Sequence, residues 1–572
     1  MTRVCRVLPD VTAVDRAFDY TFEGDAPVGT IVRVPLHGRR VRGWIVATDV
    51  EPEAATLLPV LGVVSAGPPP DVVGLTAWVA HRWAGPRVAV LRSASPPNLV
   101  PPTVSSASGH QRPRADQTAY QHATEKVVRW PPLPDRRQLV AEMCASEGST
   151  IVCVADAGRA RTLAAFLGRT HHSVALLHSA QTDAVRTEAW ARAAGGNCVV
   201  VGGRIAAFAP VPDLRAAVVV DDADEALQEE RAPTWHARDV LRERAARAGA
   251  SFTVCSPAPT VEAVCASADV EVPSPDVEHA GWPRVRVVDR RDEPPGAGLL
   301  SEALADALHH AAGPAVCVLN RRGRFRLLVC TACRDLLRWE AAAERPAVCP
   351  ACGATGLRVL RAGVRRVGEE LAALMPGKRV VDVDAATADV PDADIVIGTE
   401  AALHRGAIRR RRPALVAYLD LDQELLAPRY RAASQAHWLV TRGAQLLAAR
   451  PRAESLLLLQ TRMPEHAVVQ AVARADPQRI LDVERDYRRT LGYPPFGALA
   501  ELSGDDVPLA ASVDALRALD VQSTGVQVFG PDDHRALVTA PSWDALADAL
   551  ARGLPAGRAL GRVRAAVDPP RI

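Results

Sequence analysis

The sequence predicts a multidomain α/β protein, and three observations carry that prediction. At 572 residues the chain exceeds what a single hydrophobic core supports, so three or four domains are expected. Its middle alternates short apolar runs rich in valine and isoleucine with helix-length segments, the pattern of parallel sheets covered by helices on both faces. Its first hundred residues instead break into short strand-like runs separated by glycine, proline and aspartate, which marks a small β-rich domain. Apolar content of 48% and charged content of 23% are ordinary for globular domains and exclude a fibre or a disordered chain.

Taken in order, residues 4–8, 17–22, 30–35 and 43–47 read as strands, with a turn at His37-Gly38 and a closing helix over 72–82. Prolines 96, 97, 101 and 102 then bar both helix and central strand, and the mainly polar stretch 103–117 reads as linker. Helices over 136–145, 157–167 and 182–194 alternate with strands over 150–154, 174–177, 198–201 and 216–220. A second α/β segment starts with a helix over 298–311 and a strand over 315–319, is interrupted, and resumes with strands over 379–383, 395–397 and 415–419. The last hundred residues alternate again, with a helix over 542–552, and read as α+β.

The interruption holds the strongest motif. Cys330 and Cys333 form one Cys-x2-Cys pair, and Cys349 and Cys352 form a second after a 15-residue spacer. That spacing brings four thiolates to one tetrahedral ion and points to a closed, structural zinc site; a redox dithiol needs only one pair. Seven further cysteines are scattered singly, which fits a reducing compartment. The N-terminus lacks a signal-peptide apolar region and no run approaches ~18 apolar residues, so a cytoplasmic location without membrane association is expected. The net charge of +2 gives no global attraction to nucleic acid, so any such binding depends on local patches.

Two lobes with a zinc insert in the second is the layout of a helicase motor, yet the chain has only two lysines, Lys126 and Lys378, and neither sits in a Gly-Lys-Ser/Thr phosphate loop. Asp221, Asp222 and Asp224 follow the strand over 216–220, where a Walker B element holds Mg²⁺; acidic strand ends also serve as helix caps and solvated loops. Asn320-Arg321-Arg322-Gly323-Arg324 and the run Arg409 to Arg412 suit phosphate recognition or a solvated face. Arg39, Arg40 and Arg42 flank the hairpin turn at Gly38 and are candidates for backbone phosphate. Aromatics make up only 4%, against a long stacking platform, but Phe18-Asp19-Tyr20 stands apart: alternation puts both rings on one strand face, which reads structurally as half core and functionally as a place for a terminal nucleotide.

At this point the chain resembles the PriA family of replication restart proteins (primosomal protein N′), over nearly all its length. The matching motifs are 17–20, 29–35 and 43–46; Gly202-Gly203-Arg204; His236 to Asp239; Leu319 to Gly323 before the cysteine insert; Ile397 to Glu400; Leu419 to Asp422; and Tyr493-Pro494-Pro495-Phe496. The resemblance implies a superfamily 2 helicase scaffold with two RecA-like lobes. Three motor elements depart from it. Trp130 to Pro134 replaces the phosphate loop, the acidic motif is reduced to Asp221-Asp222-Ala223-Asp224, and the last helicase motif to Thr441-Arg442-Gly443-Ala444-Gln445. The linker is too short for a winged-helix domain, and only the four outer cysteines of an expected eight remain, so one zinc ion is implied. This is similar to the motor-deficient actinobacterial type.

The expected organisation is therefore an N-terminal 3′-end DNA-binding-like domain (1–102), a linker (103–135), degenerate helicase lobe 1 (136–285), degenerate lobe 2 (286–465) with a zinc insert (326–356), and a C-terminal domain (466–572). The resemblance implies a nucleoid-associated protein that binds forked and single-stranded DNA, with Phe18, Asp19, Tyr20, Arg39 and Arg40 at the DNA. Its implied partners are primosome proteins, the replicative helicase or its loader, and single-stranded DNA-binding protein. The rival expectation is an ATP-driven 3′-to-5′ DNA helicase with a noncanonical ATP site.

Overall fold

The computed structural model describes residues 2–572 except 13, 25, 55, 102–123, 294–297, 321–324, 331, 334–335, 341–347, 360–363, 385–386, 388 and 520–523. The chain forms two compact units. Unit 1 comprises residues 1–129, 136–272 and 485–572, and unit 2 comprises 130–135 and 273–484. The architecture is the multidomain α/β class expected from the sequence.

Unit 1 begins with strands β1 (Thr2–Pro9), β2 (Phe18–Glu23), β3 (Ile31–Leu36), β4 (Arg39–Thr48), β5 (Leu58–Pro59) and β6 (Gly62–Ser65), ordered β5-β2-β1-β4-β3-β6. The backbone N–H groups of Val60 and Leu61, between β5 and β6, donate to the Thr21 carbonyl on β2 and the Arg33 carbonyl on β3, which curls the sheet on itself. Strand alternation then separates two faces. Cys5, Val7, Tyr20, Val32, Val34 and Ile45 pack inside the curl. Leu8, Ile31 and Trp44 face outward and are covered by Val73, Val88 and Leu91 from the helices Pro70–Arg82 and Arg87–Ala94. The β3–β4 turn places His37 at φ 46° and Gly38 at φ 75°, the doubly left-handed backbone of a two-residue hairpin that matches strand twist.

A seven-stranded, all-parallel sheet follows: β7 (Glu125–Arg129), β8 (Ser149–Val154), β9 (Val174–Leu177), β10 (Val199–Gly202), β11 (Leu214–Val220), β12 (Ser251–Ser256) and β13 (Asp269–Glu271), ordered β13-β7-β12-β11-β8-β10-β9. The linker expectation is corrected here, because Glu125–Arg129 pairs with both β12 and β13 and buries Val127 and Val128. Five residues with only two apolar positions in the middle are too short to stand out beside a polar tract, and the sheet supplies the missing stabilisation. Helices Ala157–Leu167 and Ala237–Ala248 start at side-chain caps, Asp156 accepting from the Arg159 amide and His236 from the Arg238 amide.

The C-terminal part of unit 1 is an antiparallel sheet. Its strands in chain order are numbered after those of unit 2, which comprise β14 (Arg284–Asp289), β15 (Ala315–Val318), β16 (Phe325–Cys330), β17 (Leu336–Glu340), β18 (Leu357–Val359), β19 (Val380–Val383), β20 (Ile395–Gly398), β21 (Leu415–Tyr418) and β22 (Leu456–Thr461). β23 (Ala498–Gly504), β24 (Gln527–Asp532), β25 (Arg535–Ala540) and β26 (Val563–Val567) are ordered β24-β25-β23-β26, with helices Asp506–Arg517 and Trp543–Arg558 packed on them. One continuous core links this sheet to the parallel sheet and to helix Pro70–Arg82. Buried polar links add to it: Thr234 Oγ1 donates to the Val567 carbonyl at 2.9 Å and Gln228 Nε2 to the Asp568 carbonyl at 2.8 Å.

Unit 2 holds a six-stranded parallel sheet, β14-β22-β21-β15-β20-β19, and the antiparallel trio β17-β16-β18 inserted between β15 and β19. Arg284–Asp289 pairs along its length with β22, so the second lobe starts before residue 286; helix Ala467–Ala473, assigned from sequence to the C-terminal domain, packs into the core of this sheet. Among the described residues no helix is long and apolar enough to cross a membrane.

Gly202, the last residue of β10, has space for no side chain: a Cβ there would lie 1.9 Å from the Leu177 carbonyl oxygen. Gly202→Ala is expected to destabilise unit 1 by about 1–3 kcal/mol through backbone displacement, read as a lower denaturation midpoint at unchanged slope.

Candidate functional site

The cysteine insert brings Cys330, Cys333, Cys349 and Cys352 together, with all four sulfurs within 4.8 Å of one another. Cys330 Sγ lies 3.5 Å from Cys352 Sγ, and Cys333 Sγ lies 3.7 Å from Cys349 Sγ. Four thiolates about 2.3 Å from a tetrahedral ion would stand roughly 3.8 Å apart, so the donor set fits a closed tetrathiolate cage. Cys330 arrives at the end of β16. The second pair is bent into a knuckle by the Gly353 N–H donating to the Cys349 carbonyl, with Gly353 at φ +71°. The backbone N–H of Cys333 draws the Cys330 thiol down to about 7, towards the thiolate that a metal requires. No disulfide forms among the eleven cysteines.

A second cluster lies at the carboxyl edge of the parallel sheet of unit 1, where β11 ends. Asp221 adopts left-handed backbone, φ 60°, and turns its carboxylate towards two arginines. Arg136 Nη1 donates to Oδ1 at 2.6 Å while its Nη2 donates to Oδ2, and Arg159 Nη1 reaches Oδ2 at 3.2 Å. Asp222 is fully buried and accepts from Thr260 Oγ1 at 2.5 Å and from the Thr260 amide at 3.2 Å, with Arg238 Nη1 at 3.7 Å. Burial pushes its carboxyl up to about 6, against the opposing pull of Arg238. Asp224 accepts from the Ala226 amide at 3.1 Å and caps the short helical turn Glu225–Leu227. All three acidic residues read from the sequence are thus engaged by protein groups. The sequence reading missed Arg136 and Arg159. Their signal was weak: two arginines among dozens, one just after the proline-rich connection and one in the first turn of a helix.

That connection, Trp130 to Asp135, leaves β7 with prolines at 131, 132 and 134. Proline has no N–H, and a phosphate loop binds through consecutive backbone N–H groups beside a lysine. Both lysines lie elsewhere: Lys126 pairs with Glu271 at 2.7 Å, and Lys378 Nζ donates to the Leu308 carbonyl at 2.5 Å.

In the N-terminal sheet, β1 and β2 place Arg6 directly opposite Asp19. Arg6 Nε and Nη2 donate to the two Asp19 oxygens at 2.8 and 3.2 Å, and the Glu53 amide donates to Oδ2 at 2.9 Å. Arg6 holds the Asp19 carboxyl below the usual range. Tyr20 points into the curl, only 3% exposed, with its hydroxyl donating to the Pro35 carbonyl at 3.1 Å. Of the two rings that the sequence placed on one half-core face, Tyr20 is thus the one taken fully inside. Phe18, on the same face at the strand end, stays half-buried, with the Arg16 guanidinium 5.8 Å from its ring. Arg39 and Arg40 are exposed beside the hairpin turn.

The other arginine runs divide. Arg321, Arg322 and Arg324 lie outside the described residues, while Asn320 Oδ1 accepts from the Glu400 amide at 2.6 Å and ties the exits of β15 and β20. Arg411 and Arg412 donate to the Val390 and Ala449 carbonyls at 2.8 and 3.0 Å and so brace their own lobe.

A family model described as the 3′ DNA-binding domain (3′BD) of PriA matches residues 6–96. "Probable replication restart protein PriA" of Mycobacterium tuberculosis (strain ATCC 25618 / H37Rv) is 29% identical, over 91% of this chain and 90% of its own length. The protein of the same description from Mycobacterium leprae (strain TN) is 29% identical over 97% of this chain and 94% of its own. Among solved structures, a DEAD box protein from Methanococcus jannaschii overlaps 62% of this chain and 87% of its own at 11% identity, with a TM-score of 0.31, a superposition too loose to inform the fold.

Asp222 should leave a signature in the pH dependence of stability. Its folded value of about 6 exceeds the ordinary 3.8, so between those values the folded state holds the extra proton and this group's contribution falls as pH rises. Asp222→Asn is expected to remove that decline, which amounts to about 3 kcal/mol at most, read by comparing denaturation midpoints of the variant and the parent at pH 4 and pH 7.

Proposed function

We propose that this chain, a relative of the PriA replication restart proteins, recognises stalled or abandoned replication forks and promotes primosome assembly and replicative helicase loading without itself being a motor. The observation that carries the motor-less reading is the Asp221 carboxylate held between Arg136 and Arg159. A Walker B carboxylate works by offering open lone pairs to Mg²⁺, and here both oxygens already accept charge-assisted hydrogen bonds. Loss of the phosphate-loop amides and lysine removes the rest of the phosphate cradle, including transition-state stabilisation, of which one preorganised donor is worth roughly 10²–10³ in rate.

DNA recognition falls to the N-terminal domain. Phe18, half-buried at the strand end, offers its ring to the last base of a nascent 3′ end. Asp19, kept ionised by Arg6, ties the segment at Glu53 to the strand that carries Phe18, so it positions that ring. Arg39 and Arg40 meet phosphates of the same strand. The four thiolates hold one zinc ion, whose chemistry is structural: it cross-links the insert β16–β18 into a rigid knob for DNA or a primosome partner. The setting is the nucleoid-associated cytoplasm, and the partners are primosome proteins, the replicative helicase or its loader, and single-stranded DNA-binding protein.

Purified full-length protein is expected to bind forked DNA more tightly when a nascent 3′ hydroxyl stands at the branch, with no DNA-stimulated ATP hydrolysis in the same samples; stimulated turnover would restore the helicase reading. For the metal, mass spectrometry of the native protein should find one zinc per chain, and Cys349→Ser should lose it while the denaturation midpoint of unit 1 stays within about 0.5 kcal/mol of the parent. Stoichiometric zinc retained by that variant would exclude the four-cysteine site.

A further inference from the structure

We infer that the outer face of the β3–β4 hairpin is a phosphate-tracking surface built from Arg33, Arg40 and Arg42, distinct from the end-reading residue Phe18. The inference rests on the fork-binding reading and names how that domain holds the strand behind its end.

The register creates the surface. β3 and β4 pair Ile31 with Trp44, Arg33 with Arg42 and Pro35 with Arg40. Because side chains alternate, Ile31, Arg33 and Pro35 share one face with Trp44, Arg42 and Arg40. The end of this face at Ile31 and Trp44 is roofed by the two helices that follow the sheet. Towards the hairpin the roof ends, and Arg33, Arg40 and Arg42 are all exposed. The opposite face, with Val32, Val34 and Val41, packs into the curled core, so the arginines have no route inward.

Arg33 and Arg42 stand directly across the strands from each other, a like-charge pair that costs folding free energy. Only Asp10 offsets it among the described residues, lying 3.5 Å from Arg42 while also accepting from Arg92 at 2.6 Å. Arg33, Arg39 and Arg40 make no side-chain ion pair among the described residues. A fold that keeps two guanidiniums opposed without a carboxylate between them is suited to an external polyanion. Guanidinium forks on a pleated surface, with neighbouring positions about 5–7 Å apart, match successive phosphates of an extended nucleic-acid strand.

The test uses the full chain with a fork carrying a nascent 3′ hydroxyl and the same fork with that end blocked by a phosphate. Arg33→Gln, Arg42→Gln and the double variant are compared with the parent across a salt series. The double variant is expected to lose about tenfold in affinity on both forks and to lower the slope of log K against log salt by about 2, with the preference for the free 3′ hydroxyl unchanged. The denaturation midpoint of Arg33→Gln should equal or exceed the parent's, since that change relieves the repulsion and leaves Arg42 paired with Asp10. Unchanged affinity and slope, or a loss confined to the free 3′ hydroxyl fork, would overturn the phosphate-tracking role, and a clear fall in midpoint would overturn the repulsive pair. Should the parent itself show no preference for the 3′ hydroxyl, the fork-end reading fails while the salt slopes still decide the arginine face.

Discussion

Asp221 closes β11, the middle strand of the parallel sheet of unit 1, in left-handed backbone, between two guanidiniums, and the chemistry available at that sheet edge follows from this contact. Arg136 stands immediately before helix Arg137–Glu142 and Arg159 lies in the first turn of helix Ala157–Leu167, so one carboxylate fastens two helices to the strand end. Removing one partner of a buried ion pair costs about 3–5 kcal/mol, so a magnesium–phosphate group would have to displace contacts the fold itself uses. On the proposed motor-less reading, these charges close the edge that a motor keeps open for nucleotide.

The next residue extends the same theme inward. Asp222 and Arg238 both bond Thr260, Arg238 also holds Asp239, and Glu262, two residues past Thr260, pairs with Arg488 at 3.1 Å. A polar chain thus runs from the closed edge to the segment that leads into the C-terminal sheet. Around it the parallel sheet, the C-terminal sheet and helix Pro70–Arg82 share one core. In the proposed motor-less role such a scaffold would work by presentation, with unit 1 carrying the sheet that the 3′ DNA-binding family model matches on a braced platform.

Legibility in the sequence followed the strength of the local signal. The two CxxC pairs specify a geometry by spacing alone, and the sulfurs meet as that spacing requires. Strands such as Leu214–Val220 were visible because burial on both faces demands continuous apolar residues. Glu125–Arg129 was hidden because its stability comes from two neighbours far along the chain, β12 and β13, and not from its own composition. The same non-locality hid Arg136 and Arg159, whose roles exist only once β11 brings Asp221 between them. Tyr20 shows the limit of a motif: alternation puts it with Phe18 on a half-core face, but only the curl of the sheet shows that Tyr20 is the ring buried inside.

The most direct test of the account is a calorimetric titration of Mg²⁺·ATP into the full-length protein, alone and with forked DNA bound. A closed edge predicts no saturable heat up to millimolar nucleotide in either state. Saturable one-to-one binding at micromolar concentration, abolished by Asp221→Ala, would contradict it and mean that nucleotide opens the arginine clamp.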